Sequence, residues 1–82
     1  MTDSEKLDRA YRTSLGLGDQ VDLSETGYGV TDGWDSIAHM QLVAAIEATF
    51  DIMMDTDDVV AMNSYRVAKR ILRDNHGLDL DA

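Results

Sequence analysis

The sequence predicts an all-α domain, a small four-helix bundle of three main helices and one short one, with a long loop between the first two. Three observations carry that prediction. Apolar residues recur at three- and four-residue spacings in three separate segments, cap-type residues stand at the start of each, and no run alternates in the period-two pattern of a strand. The 82 residues include no proline to break such helices.

Thr2 and Glu5 have the spacing of a capping box, and Leu7, Ala10, Tyr11 and Leu15 follow at helical intervals, so a first helix runs from about Asp3 to Leu15. Gly16 and Gly18 stop it. The segment from Gly18 to Trp34 then reads as a loop, long for so small a chain. Leu17 just before it, and Val21, Leu23, Tyr28, Val30 and Trp34 within it, are expected to dock across the helices. A second helix spans Ser36 to Phe50, with Ile37, Met40, Leu42, Val43, Ile46 and Phe50 forming an amphipathic or largely buried surface. Asp55 or Thr56 caps a short third helix from about Asp57 to Met62. Asn63 or Ser64 caps a last helix, whose Tyr65, Ala68, Ile71 and Leu72 share one face. It ends near Asn75, with His76 and Gly77 as stop residues and a frayed acidic tail beyond.

Size and composition narrow the function. A chain of 82 residues is expected to form one domain with one small core, too little to enclose a catalytic cleft, which favours a binding, carrier or interaction module. The absence of cysteine excludes disulfides, thiolate metal sites and thiol nucleophiles. Together with a charged N-terminus and no apolar run long enough for a bilayer, it points to an intracellular setting.

 The chain is accordingly expected to be a cytoplasmic monomer that does not associate with membranes.

Charge is unevenly placed. The net charge is −9, and all seven Lys and Arg lie near the ends: Lys6, Arg9 and Arg12 in the first helix, Arg66, Lys69, Arg70 and Arg73 in the last. Nothing between Thr13 and Tyr65 is basic. That acidic middle repels nucleic acid and anionic membrane and attracts basic protein surfaces, although a solubilising surface accounts for it equally well.

The candidate site is Trp34-Asp35-Ser36-Ile37, which puts the Ser36 hydroxyl at a helix start. There an attached anion meets unpaired backbone N–H groups and the positive end of the helix dipole. On their own, Asp35 and Ser36 are better explained as the cap of a core helix, since Ser and Asp are the commonest cap residues. His39, three residues on, is expected at the surface within reach of a group on Ser36, and Met40 lies on the same side of the helix. The remaining methionines, Met53, Met54 and Met62, are assigned mostly to core filling. A Ser36–His39–Asp35 hydrolytic triad is disfavoured, because an adjacent Asp-Ser pair does not set the carboxylate behind the imidazole. The acids Asp51, Asp55, Asp57 and Asp58 lack the Gly and the spacing of an EF-hand, so no metal site is assigned.

Asp35-Ser36-Ile37, the following helix with Leu42, Ile46, Glu47 and Phe50, then Phe50-Asp51-Ile52, an acidic cap, a short helix and a final helix resemble the acyl carrier proteins over nearly the whole chain. In that family the motif is Asp-Ser-Leu, and Ile37 replaces Leu. The resemblance implies that Ser36 carries 4′-phosphopantetheine taken from coenzyme A, beside Asp35, Ile37 and His39, and that the carrier itself catalyses nothing. It implies docking of a phosphopantetheinyl transferase and of acyl-loading and acyl-processing enzymes, through basic patches, on Met40, Glu47, Asp55, Asp57 and Asp58. It also implies an acyl chain folding back among Leu42, Ile46, Met54, Val59 and Met62. Glu47 is the only acid within helix two, unlike carriers of housekeeping fatty acid synthesis, and Gly33-Trp34-Asp35-Ser36 with His39-Met40 is closer to free-standing carriers of polyketide or other specialised metabolism. The alternatives are an unmodified acidic helical adaptor for a basic partner and a housekeeping fatty acid carrier.

Overall fold

A computed structural model describes residues 2–80. They form α1 (Asp3–Leu15), α2 (Ser36–Phe50), α3 (Thr56–Ala61) and α4 (Tyr65–His76), with one 3-10 turn at Leu23–Glu25 inside the first loop. The described residues contain no strand; a single antiparallel bridge joins Gly27 to Ser64. No helix among them is long and apolar enough to cross a membrane.

Local chemistry sets each helix start. Thr2 accepts from the Glu5 N–H at 3.1 Å, and the Glu5 carboxylate accepts the Thr2 N–H at 3.2 Å, completing the capping box of α1. Asp35, Asp55 and Ser64 cap α2, α3 and α4 by accepting from Ala38, Asp58 and Val67. Because Asp55 is the cap, Thr56 is helical and α3 begins one residue before the expected Asp57. It ends at Ala61, and α4 runs one residue past Asn75.

The core collects Leu7, Tyr11 and Leu15 of α1, Leu42 and Ile46 of α2, Met62, and Ala68 and Leu72 of α4. Tyr11 sits edge-on between Trp34 (5.5 Å between ring centres) and Tyr65 (5.1 Å), joining the end of the loop to α1 and α4. Gly33 makes this approach possible. Its φ is +88°, and a Cβ there would stand 3.0 Å from the Leu15 carbonyl oxygen, so no other residue fits without strain between the end of α1 and Trp34.

Several expectations require correction. In the long loop Leu23 and Trp34 are buried and Leu17 is half-buried, but Val21, Tyr28 and Val30 are exposed. The loop is held instead by hydrogen bonds: the Tyr28 N–H donates to the Asn63 carbonyl (2.8 Å), the Arg66 Nε to the Ser24 carbonyl (3.0 Å), and the Arg12 guanidinium to the Gly18 and Val21 carbonyls. On α2, Ile37 and Met40 face outward, and burial falls on Ala38, Leu42, Val43 and Ile46. Of the methionines assigned to the core, Met54 and Met62 are buried, whereas Met53 is exposed. The tail is not frayed through residue 80: Leu80 is fully buried, and the Asp79 N–H lies 3.4 Å from an Asp3 carboxylate oxygen. Asp81 lies outside the described residues.

Candidate functional site

Ser36 is the first residue of α2, and its side chain is exposed. Asp35, not Ser36, performs the capping: its Oδ1 accepts the Ala38 N–H at 2.9 Å, while its carbonyl accepts the His39 N–H at 2.8 Å. The Ser36 and Ile37 N–H groups stand in the first turn, where a helix supplies no acceptor of its own. The Ser36 Oγ lies 2.8 Å from the Tyr28 hydroxyl, which reaches over from the loop.

A groove of about 300 Å³ opens beside this pair. Ser36, His39 and Met40 form one wall, Val59, Val60 and Met62 the other, and Tyr28 and Asn63 close the end. Leu42, Ile46, Met54, Val59 and Met62, the residues expected around an acyl chain, stand differently towards this groove. Val59 and Met62 line the groove, but Leu42 and Ile46 are fully enclosed in the core and Met54 is buried away from it. Ile37, Met40 and Val60 leave an exposed apolar rim around Ser36.

His39 departs from the surface position expected of it. Its ring is half-buried, with Nδ1 2.9 Å from the Trp34 indole Nε1 and Nε2 2.9 Å from the Val59 carbonyl oxygen. Its ring lies at 20° to that of Trp34 with centres 6.0 Å apart, and the Tyr28 ring meets it edge-to-face at 5.5 Å. With both nitrogens engaged there, and the Asp35 carboxylate engaged with Ala38, Ser36, His39 and Asp35 form no proton relay.

The acids divide into two kinds. Asp55 and Asp57 are exposed, although Asp55 also caps α3. Glu47 is half-buried and accepts the Met54 N–H at 2.9 Å, fixing the segment after α2. Asp58 is buried, so its assignment as a partner contact is corrected: its two oxygens accept from Asn75 Nδ2 (3.0 Å) and pair with His76 Nε2 (3.1 Å), joining α3 to the end of α4. His76 is thus more than a stop residue. No three His, Cys, Asp or Glu among the described residues are grouped to hold a metal ion.

Tyr28 and Val60 belong to the site and were not singled out by sequence for it. Tyr28 lies between two glycines in an irregular loop, where no periodicity gives direction, and Val60 reaches the groove only once α3 is placed. The arrangement offers one exposed hydroxyl, a helix start able to receive an anion, and an apolar trough alongside. Compared with known proteins, the chain matches no family model, no curated protein and no solved structure.

Proposed function

We propose that this chain is a non-catalytic acyl or aminoacyl carrier, with 4′-phosphopantetheine esterified to the Ser36 Oγ. The observation that carries the proposal is the division of labour at the start of α2: Asp35 caps the helix, so Ser36 is free of that duty and presents its hydroxyl to solvent. The residues fit the group. An exposed oxygen accepts the ester, the first-turn N–H groups favour the phosphodiester charge, and the groove beside Ser36 suits an apolar chain. When bound, the arm supplies the thiol, and hence the thioester chemistry, that a chain without cysteine lacks.

The chain's own part is presentation. Tyr28 hydrogen-bonds the unmodified Ser36 hydroxyl and has to give up or rearrange that bond when the Ser36 Oγ loses its proton on esterification. Ile37, Met40 and Val60 offer apolar contacts around the attachment point, and exposed Asp55 and Asp57 draw basic patches on a phosphopantetheinyl transferase and on acyl-loading and acyl-processing enzymes. With Glu47 committed to Met54, the α2 surface beside Ser36 is apolar rather than acidic. That supports partners of cytoplasmic polyketide or other secondary-metabolite biosynthesis over those of housekeeping fatty acid synthesis.

Incubating the unmodified protein with coenzyme A and a phosphopantetheinyl transferase, then weighing it intact, tests the proposal. One phosphopantetheine increment on the wild type and none on Ser36→Ala is the expected result; no increment on the wild type refutes it. The exposed Ile37, Met40 and Val60 also suit an unmodified acidic adaptor, for which Ser36→Ala binds its basic partner as well as the wild type does.

A further inference from the structure

Helix α3 has six residues, too few to be stable alone, and its two central residues, Asp58 and Val59, are held from opposite sides. On one side the Asp58 carboxylate is anchored to Asn75 and His76 of α4. On the other, the Val59 carbonyl, one of the last-turn acceptors a helix leaves unpaired, meets His39 Nε2 of α2. The tautomer of His39 follows from its other neighbour. An indole nitrogen only donates, so Trp34 Nε1–H requires a lone pair on His39 Nδ1, and the ring proton resides on Nε2, where it donates to Val59.

We propose that His39 is a proton-operated latch, which in its neutral Nε2–H form holds α3 against α2 and limits the width of the groove beside Ser36. A proton and the Trp34 N–H compete for the same lone pair. Protonating Nδ1 sets two N–H donors face to face, the ring is displaced from Trp34, and its hold on Val59 is lost. The second histidine acts in the opposite sense: a charged His76 strengthens its pairing with the Asp58 carboxylate. Acid therefore frees α3 from α2 while keeping it tied to α4, so α3 pivots about Asp58 and widens the groove lined by Val59, Val60 and Met62.

The groups facing His39 permit this assignment. From the loop come the Trp34 ring and the edge of Tyr28, and from α3 the Val59 carbonyl; the neighbouring Asp58 carboxylate is engaged with α4, and the Asp35 carboxylate with the Ala38 N–H. Among the described residues, no carboxylate or basic side chain is hydrogen-bonded to the His39 ring. The latch depends on no group attached to Ser36, so it is tested on the unmodified protein.

Nitrogen-15 NMR of the His39 ring in the wild type, from about pH 8 to about pH 5, spans the range in which an imidazole changes charge. The expected result is the Nε2–H tautomer at the upper end. As His39 becomes charged, hydrogen-exchange protection factors in α3 should fall about tenfold, the order for losing one hydrogen bond and leaving its partner unpaired, while those of Leu7 to Tyr11 hold. His39→Gln, which keeps an N–H donor but does not titrate, should flatten the α3 profile. An Nδ1–H tautomer, α3 protection unchanged across the His39 titration, or the same fall in His39→Gln overturns the proposal. Should His39→Gln fail to fold, the wild-type tautomer and titration decide alone.

Discussion

Asp57 and Asp58 are adjacent acids in the first turn of one short helix, yet the structure gives them opposite roles, and replacing each by Ala separates them. Asp58 accepts two side-chain hydrogen bonds, from Asn75 at 3.0 Å and from His76 at 3.1 Å, in a buried position. A hydrogen bond to a charged group contributes about 1.5–3 kcal/mol, but Asn75 is exposed and recovers water, so the two together amount to about 2 kcal/mol. For a domain of this size that corresponds to roughly 10 °C in Tm. Asp57 is exposed, and its removal should change stability by no more than about 0.5 kcal/mol. Urea unfolding followed by circular dichroism measures both. Asp58→Ala combined with His76→Ala should lose less than the sum of the single losses, by about 1 kcal/mol of coupling. Equal costs for the two Asp variants, or strict additivity with His76→Ala, would refute the assignment of Asp58 as the tie between α3 and α4.

Gly33→Ala should cost about 1–2 kcal/mol or more, because it forces a side chain into left-handed backbone with its Cβ against the Leu15 carbonyl; thermal unfolding measures it. Tyr11→Phe should raise stability by up to about 1 kcal/mol, since the Tyr11 hydroxyl is buried without a hydrogen-bond partner. Burial raises the pKa of Tyr11, and burial followed by the Asp8 hydrogen bond raises that of Tyr65. Both therefore ionise first in the unfolded chain, and stability present below about pH 10 is lost as pH rises above it; Tyr11→Phe and Tyr65→Phe should each flatten that loss in alkaline denaturation. Leu80→Ala should cost about 2–3 kcal/mol in urea unfolding, where a frayed tail would lose nothing.

Helix order and helix ends were legible in the sequence because they depend on local chemistry. Thr2 with Glu5, Asp35, Asp55 and Ser64 cap their own backbones, and apolar spacing does the rest. What was not legible depends on contacts between distant segments. No local rule distinguishes Asp58 from Asp57; the difference is made by Asn75 and His76, which arrive from α4. The same holds for His39, drawn inward by Trp34 and Val59, and for Leu80, whose burial gives no periodic signal. Apolar spacing also misassigned Ile37 and Met40, because it marks residues suited to burial without saying whether the fold or a partner covers them.

The central claim concerns one oxygen atom, and the distribution of basic residues makes it direct to test. With no Lys or Arg between Thr13 and Tyr65, trypsin releases the whole site as one fragment, Thr13 to Arg66. After treatment with coenzyme A and a phosphopantetheinyl transferase, fragmentation of this peptide should place a single phosphopantetheine on Ser36. An unmodified fragment, or a group on Ser14, Ser24 or Ser64 instead, would contradict the account.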